Sequence, residues 1–307
     1  MNRPRFGVGL VALAAIAWAG CAPHDGQPAP VAGQASSGSD VDSDEDSASP
    51  LDLAEACSQT AEYWRRQLDR HALASPPFVL AGTMDAAALR AWSEETVRPA
   101  AFALGRQYFD RPPSRPITIL LFADEATYRA EAERLFGDRA ISRHGYYRPH
   151  LNTVLVNVAD GPSSLLHELV HALMAFDFPE APAWLREGLA TLYEDCRVDA
   201  GSGALVPQAG ARRTTLDDAL RQGRLPSLKS LLQKAQFNGP DRPVYYALAR
   251  HFCLYLTRQG KMASVYRAVR DAGSGDSDAM AALLGALECD SWATLEADFR
   301  RWAAPPE

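Results

Sequence analysis

Residues 167–171 read His-Glu-Leu-Val-His, and this pentapeptide constrains the fold more than any other stretch of the chain. Its flanks, Ser163-Ser164-Leu165-Leu166 and Ala172-Leu173-Met174-Ala175-Phe176, are good helix material. On a helix, residues i and i+4 lie one above the other on the same face. His167 and His171 therefore aim two imidazoles at one point in space, and Glu168 brings a carboxylate beside that point without having to be a ligand. Leu165, Leu166, Leu169, Val170 and Leu173 give the same helix a broad apolar surface. The expected element is a buried helix with a metal site on one edge. Two imidazoles alone are too few protein ligands for a typical metal centre, so a further element must face this edge. The competing arrangement is a core helix whose histidines are satisfied by hydrogen bonds.

The segment Trp184-Leu185-Arg186-Glu187-Gly188-Leu189-Ala190 offers the second element. A His-Glu-x-x-His helix followed by Trp-Leu-x-Glu-Gly-x-Ala resembles the gluzincins, zinc peptidases whose third ligand is a glutamate on the next helix. Fifteen residues lie between His171 and Glu187, a tighter connection than in the aminopeptidase branch. The compact peptidase-MA-like family, often found in bacterial lipoproteins, is the closer resemblance. It implies one zinc ion per chain on His167, His171 and Glu187, with Glu168 as the base that takes a proton from water. Neutral imidazoles and one carboxylate leave such a centre with a net charge of about +1.

Other carboxylates compete for the third position. Asp177 lies six residues after His171, where metzincin-like enzymes place a ligand. That geometry needs a glycine three residues after the second histidine, and Met174 stands there. Asp177 is expected near the helix end, before the turn region of Pro179 and Pro182. Glu194 and Asp195 could orient a histidine through its second nitrogen, although solvated surface carboxylates are the favoured reading of both.

An oxyanion formed during hydrolysis needs a donor besides the metal. Residues 245–256, Tyr-Tyr-Ala-Leu-Ala-Arg-His-Phe-Cys-Leu-Tyr-Leu, resemble the Tyr-Ala helix of peptidase-MA-like proteins. The match puts the donor at Tyr246, with Tyr245 second and His251 and His144 weaker; packing is the competing role for these aromatic residues. The Gly-Ala-Met-Glu-Asn signature of gluzincin aminopeptidases does not occur.

The chain begins Met1-Asn2-Arg3-Pro4-Arg5 and runs apolar to Ala19, a charged start and short apolar stretch typical of a secretory signal over residues 1–20. Ala17-Trp18-Ala19-Gly20-Cys21 resembles a bacterial lipoprotein cleavage site, which implies a lipid anchor on Cys21 and a place in the cell envelope, facing the periplasm. An ordinary signal peptide that happens to contain a cysteine is the other reading. Residues 21–50 are rich in Pro, Gly, Ala, Ser and Asp and almost free of large apolar groups, so they cannot bury enough surface to offset ordering. They read as an acidic tether. The whole chain carries 31 basic and 38 acidic residues. Leaving out Arg3, Arg5 and the six tether acids gives 29 against 32, a mildly acidic remainder in which nothing points to a nucleic-acid partner. Cys57, Cys196, Cys253 and Cys289 are compatible with two disulfides in any of three pairings, or with buried thiols.

Residues 51–307 are long enough for one sizeable domain. Leu53–Leu73 reads as helix. A second helical stretch runs from about Asp85 to Tyr108, with a kink or break expected at Pro99. Ile117–Phe122 reads as a strand, and Asp124 as the cap of a helix reaching Phe136. Residues 145–148 and 152–158 read as antiparallel strands joined around Pro149-His150-Leu151. By the family resemblance, 152–158 is the sheet edge along which a peptide could add as a strand. Residues 197–211 are a loop or hairpin, and six helices follow. The expected fold is thus α+β and mostly helical, zincin-like. A small mixed-sheet lobe (about 51–176) and an all-helical lobe (about 177–307) should flank a metal cleft. The activity implied is endopeptidase action on a peptide or protein substrate. The alternatives are a catalytically silent, lipid-anchored binding protein and a zinc-dependent cell-wall amide hydrolase.

Overall fold

The computed structural model describes residues 50–304, apart from 200, 209, 211, 274 and 275. The expected signal segment, Cys21 and the tether lie outside the described residues, except that Pro50 opens the first helix. Among the described residues no helix is long and apolar enough to cross a membrane.

The sheet grows from three strands that are buried at every position and mostly apolar. β3 (Ile117–Phe122) is buried throughout, as are β2 (Phe78–Gly82) and β5 (Thr153–Asn157). Strands of this composition need cover on both faces. Because successive side chains point to opposite faces, the residues sort themselves. Leu80, Ile119, Leu121, Val154 and Val156 face one apolar cluster, whereas Val79, Ala81, Leu120, Phe122 and Leu155 face another. The second face is covered by α1 (Pro50–Leu68), through Cys57, Ala61 and Trp64, and by α4 (Glu125–Phe136), through Tyr128 and Ala132. Trp64 Nε1 donates to Thr118 Oγ1 at 3.2 Å, which satisfies two buried polar groups on that face.

The five strands run in the order β1-β2-β3-β5-β4, with β1 (Ala72–Ser75) and β4 (Gly145–Arg148) at the edges. β2, β3 and β5 are mutually parallel, and the two edge strands are antiparallel to their neighbours. The sheet is therefore mixed, as expected, but two expectations fail. The first helix stops at Leu68, and residues 72–82 form a β-hairpin that local pattern does not reveal. Ala72-Leu73-Ala74-Ser75 has weak strand propensity and is held by pairing with β2 rather than by its own preference. Second, residues 153–157 are not an edge. β5 pairs with β3 on one side and β4 on the other, because the β4–β5 hairpin folds its earlier strand outward. The edge strand on this side of the sheet is β4.

The interrupted helix is α2 (Ala86–Ala91), a π-helical turn (Trp92–Val97) and α3 (Arg98–Gln107). Pro99 is the second residue of α3 within a continuous helical run, and the wider π-helical turn before it accommodates the missing N–H in place of a break. Asp124 caps α4 by accepting from the Thr127 amide at 2.8 Å, and Gly137 ends that helix in the left-handed conformation.

Beyond the sheet come α5 (Ser163–Asp177), α6 (Ala183–Tyr193), a two-stranded hairpin of β6 (Cys196–Val198) and β7 (Leu205–Pro207), and then six helices. These are α7 (Arg213–Arg221), α8 (Leu228–Leu232), α9 (Arg242–Arg258), α10 (Met262–Ala272), α11 (Asp276–Leu287) and α12 (Trp292–Ala303). The C-terminal part is helical with one small hairpin, not wholly helical. One continuous apolar cluster runs from the first sheet face through α5 and α6 to α9, α10 and α12. The four described cysteines are free thiols, with Cys57 and Cys253 buried in the two cores. Burial pushes the Cys57 thiol up to about 11, as befits a packing residue.

A three-residue candidate metal centre

α5 packs between the β4–β5 end of the sheet and α6, and α6 packs in turn on α9. The α6–α9 contact is close because residue 188 is glycine. A β-carbon there would stand 2.6 Å from Cys253 Sγ and 3.0 Å from the Ala249 carbonyl oxygen. The close approach brings Glu187, the preceding residue, toward α5.

His167, His171 and Glu187 come together so that one ligand atom from each lies within 4.8 Å of the others. The Nε2 atoms of His167 and His171 are 3.0 Å apart, and Glu187 Oε2 is 3.8 and 3.7 Å from them. A triangle with these sides has a centre about 2 Å from every corner, within the range of zinc–nitrogen and zinc–oxygen bonds. All three side chains are at least partly withdrawn from solvent.

The protonation pattern is set by Glu194. Its Oε1 lies 2.8 Å from His167 Nδ1. A carboxylate only accepts, so His167 Nδ1–H donates, and Nε2 is the ring nitrogen that faces the other two ligand atoms. Two ring nitrogens 3.0 Å apart require a proton or a cation between them. Glu194 is itself held by Arg212, whose Nη2 is 3.2 and 3.3 Å from its two oxygens. Burial alone would raise the Glu194 carboxyl, but the Arg212 charge and the His167 hydrogen bond bring it down to about 2. It is therefore an ionised, enclosed group that orients a histidine. The surface role favoured from sequence is corrected, because Glu194 is only 13 % exposed and its carboxylate is held between His167 and Arg212.

Burial also pushes the Glu168 carboxyl up to about 7, against the lowering influence of His167. The Tyr147 amide of the edge strand hydrogen-bonds to this carboxylate, while Glu168 Oε1 is buried without a partner. Burial pulls the His171 imidazole down to about 3, so that ring is neutral. For His167, burial acts downward but the surrounding carboxylates prevail and raise it. Burial would raise Glu187 as well; the histidines, Arg186 and a hydrogen bond from Tyr246 hold it below its ordinary value.

Of the two candidate tyrosines on α9, Tyr245 and Tyr246, Tyr246 is the one at the site, through that bond to Glu187. Tyr245 turns toward α8, with its hydroxyl 3.2 Å from Ser230 Oγ and its ring stacked on Phe237. His251 bonds through Nδ1 to the Ala247 carbonyl of its own helix at 2.8 Å, a packing arrangement away from the ligand atoms. His144 is buried just before the edge strand and does not join the three-residue cluster. Asp177 is fully buried at the end of α5. It accepts from the Asp110 and Arg111 amides, the Tyr266 hydroxyl and the Arg270 guanidinium, all at 2.7–3.1 Å. Its oxygens are thereby committed to structure. Arg212, 25 residues beyond Glu187, is the site residue that sequence reasoning missed; nothing in its local sequence marks it.

No protein-family model matches the chain, and no curated protein matches it.

Proposed function

We propose that the chain is a zinc-dependent hydrolase of the gluzincin type, acting on peptide bonds with endopeptidase character, with a zincin-like fold. The observation that carries this reading is a point about 2 Å from three ligand atoms, two nitrogen and one oxygen, all on buried or half-buried side chains, next to an unpartnered carboxylate oxygen of Glu168. The donor set suits zinc. Two neutral imidazoles and a carboxylate match catalytic zinc ligation, and the Glu194 bond to His167 is the partner that a metal-bound imidazole needs on its other nitrogen.

Zinc, when bound, supplies a Lewis acid that polarises the scissile carbonyl and acidifies water. Glu168 accepts the proton of the attacking water and delivers it to the departing amine. A carboxyl raised by burial toward neutrality is suited to both steps, because it can hold and release a proton near pH 7. Tyr246 stands on the α9 side and turns its hydroxyl from Glu187 to the developing oxyanion. The outer edge of β4 is the surface along which an extended substrate aligns, since β5 has both edges occupied.

Two measurements test the proposal. Elemental analysis of the purified chain should find one zinc per molecule, lost in His167→Ala and His171→Ala and weakened in Glu187→Gln. A mass-spectrometric cleavage screen on a peptide library should then find products with the wild type. With Glu168→Gln, zinc should be retained and turnover should fall by about 10²–10⁴. A wild type that takes up no zinc, or a Glu168→Gln variant as active as wild type, overturns the assignment. Cleavage of cell-wall amides but not of peptides would keep the metal chemistry and change the substrate class.

A further inference from the structure

Arg212 touches both sides of the candidate centre. Its Nη2 bonds to the two Glu194 oxygens at 3.2 and 3.3 Å, and Glu194 Oε1 accepts from His167 Nδ1 at 2.8 Å. Its Cζ also stands 5.2 Å from the centroid of the Tyr246 ring, within cation–π range, and the Tyr246 hydroxyl bonds to Glu187. From this one guanidinium, one path leads through Glu194 to His167 and another through Tyr246 to Glu187. The side chain is only 12 % exposed, so both contacts act in a region of weak screening.

The backbone at Arg212 points the same way. Arg212 has φ 60° and ψ 7°, the left-handed conformation that a residue with a β-carbon adopts at a cost. It precedes α7, where Asn, Asp, Ser or Thr would ordinarily cap the helix, and Arg212 makes no side-chain cap bond. The chain accepts an unfavourable backbone and an uncapped helix at the position that sends the guanidinium to Glu194.

From this arrangement we infer that Arg212 is a positioning residue for the metal centre: it holds Glu194 under His167 and so sets metal affinity and coordination geometry, while its second contact keeps the Tyr246 ring in place beside Glu187. The inference rests on the proposed metal site but not on the identity of the substrate. A planar fork that binds a carboxylate while stacking on an aromatic ring is a task for arginine, and lysine reproduces only the charge.

The test is metal binding by the full chain, read by competition against a chromophoric chelator and by the visible spectrum of the cobalt-substituted protein. Partners of a metal-bound histidine typically contribute ~10–100-fold in affinity. Glu194→Gln and Arg212→Met should each weaken zinc binding by about that factor and shift the cobalt bands, and the double variant should be little weaker than the weaker single one. Arg212→Lys should recover part of the affinity, since it returns the charge and disturbs packing least, and it provides a readout if Arg212→Met does not fold. An Arg212→Met or Arg212→Lys protein that melts lower yet keeps wild-type zinc affinity and an unchanged cobalt spectrum shows a purely structural arginine and overturns the inference. A wild type that binds no zinc fails at the first titration, which identifies the proposed function itself as the error.

Discussion

At the scale of single residues, the centre is a case of few groups with divided tasks. His167, His171 and Glu187 converge, Glu168 stands beside them with one oxygen unpartnered, and Tyr246 reaches the group from α9. Tyr246 makes no part of the ligand triangle, so removing its hydroxyl separates binding from turnover. Tyr246→Phe should hold zinc within a few-fold of wild type. On any peptide found in the cleavage screen, kcat should fall by about 10²–10³, the usual loss when one oxyanion donor is deleted. Full activity in Tyr246→Phe would assign the tyrosine to packing with Phe237, which it contacts edge to face at 5.3 Å. The pentapeptide and Glu187 were legible in the sequence because helical spacing and a short motif report local geometry. Arg212 was not, because its role depends on where residues 194–212 return to the helix.

Among the elements, the α6–α9 crossing decides whether Glu187 can meet the histidines at all. Gly188 is the contact. A methyl group there would meet Cys253 Sγ at 2.6 Å and the Ala249 carbonyl oxygen at 3.0 Å, and a helix backbone cannot retreat as a side chain can. Alanine gains about 1 kcal/mol of helix propensity over glycine in an unhindered helix. Overpacking of a close core contact typically costs ~1–3 kcal/mol, so the net effect should be destabilising. Thermal melts of Gly188→Ala should show a Tm lower by a few degrees, at roughly 2–4 °C per kcal/mol for a domain of this size. Zinc affinity should drop as well, since α6 must shift to relieve the clash. A Tm at or above wild type would mean the two helices separate at no cost. The sheet teaches a related lesson. β3 and the β4–β5 hairpin were readable from apolar runs and turn residues, but spatial order was not. Sequence order places residues 152–158 next to the metal helix, whereas hydrogen-bond pairing inserts them between β3 and β4. The helix Asp85–Tyr108 was readable apart from its π-helical turn, whose extra residue per turn leaves no signature in composition.

Across the whole molecule, Asp177 ties α5 to distant segments. It closes α5, six residues past His171, and binds the backbone of residues 110–111 together with Tyr266 and Arg270 of α10. Arg270 also bridges to Asp110 at 2.9 Å, so one buried carboxylate and one guanidinium join three parts of the chain. Asp177→Asn places an amide donor among donors and strips the charge facing Arg270. Chemical denaturation should show a loss of about 3 kcal/mol, as for removal of one partner from a buried pair. The folded protein should still bind one zinc, which distinguishes this carboxylate from Glu187. An Asp177→Asn protein of wild-type stability that loses zinc would return Asp177 to the ligand set. The sequence by itself determined the helix of the His-Glu-Leu-Val-His motif, its two histidines and neighbouring glutamate, and the helix that carries Glu187, because each is written in spacing over a few residues. It also determined the mixed α+β character, since runs of apolar strand residues and amphipathic helices are local patterns. Only the tertiary structure decided which strand is the edge, which tyrosine faces Glu187, and that Glu194 and Asp177 are enclosed carboxylates rather than solvated or ligating ones. Those outcomes depend on which distant segments exclude water from a group and which donors they bring to it, and no window of neighbouring residues contains that information.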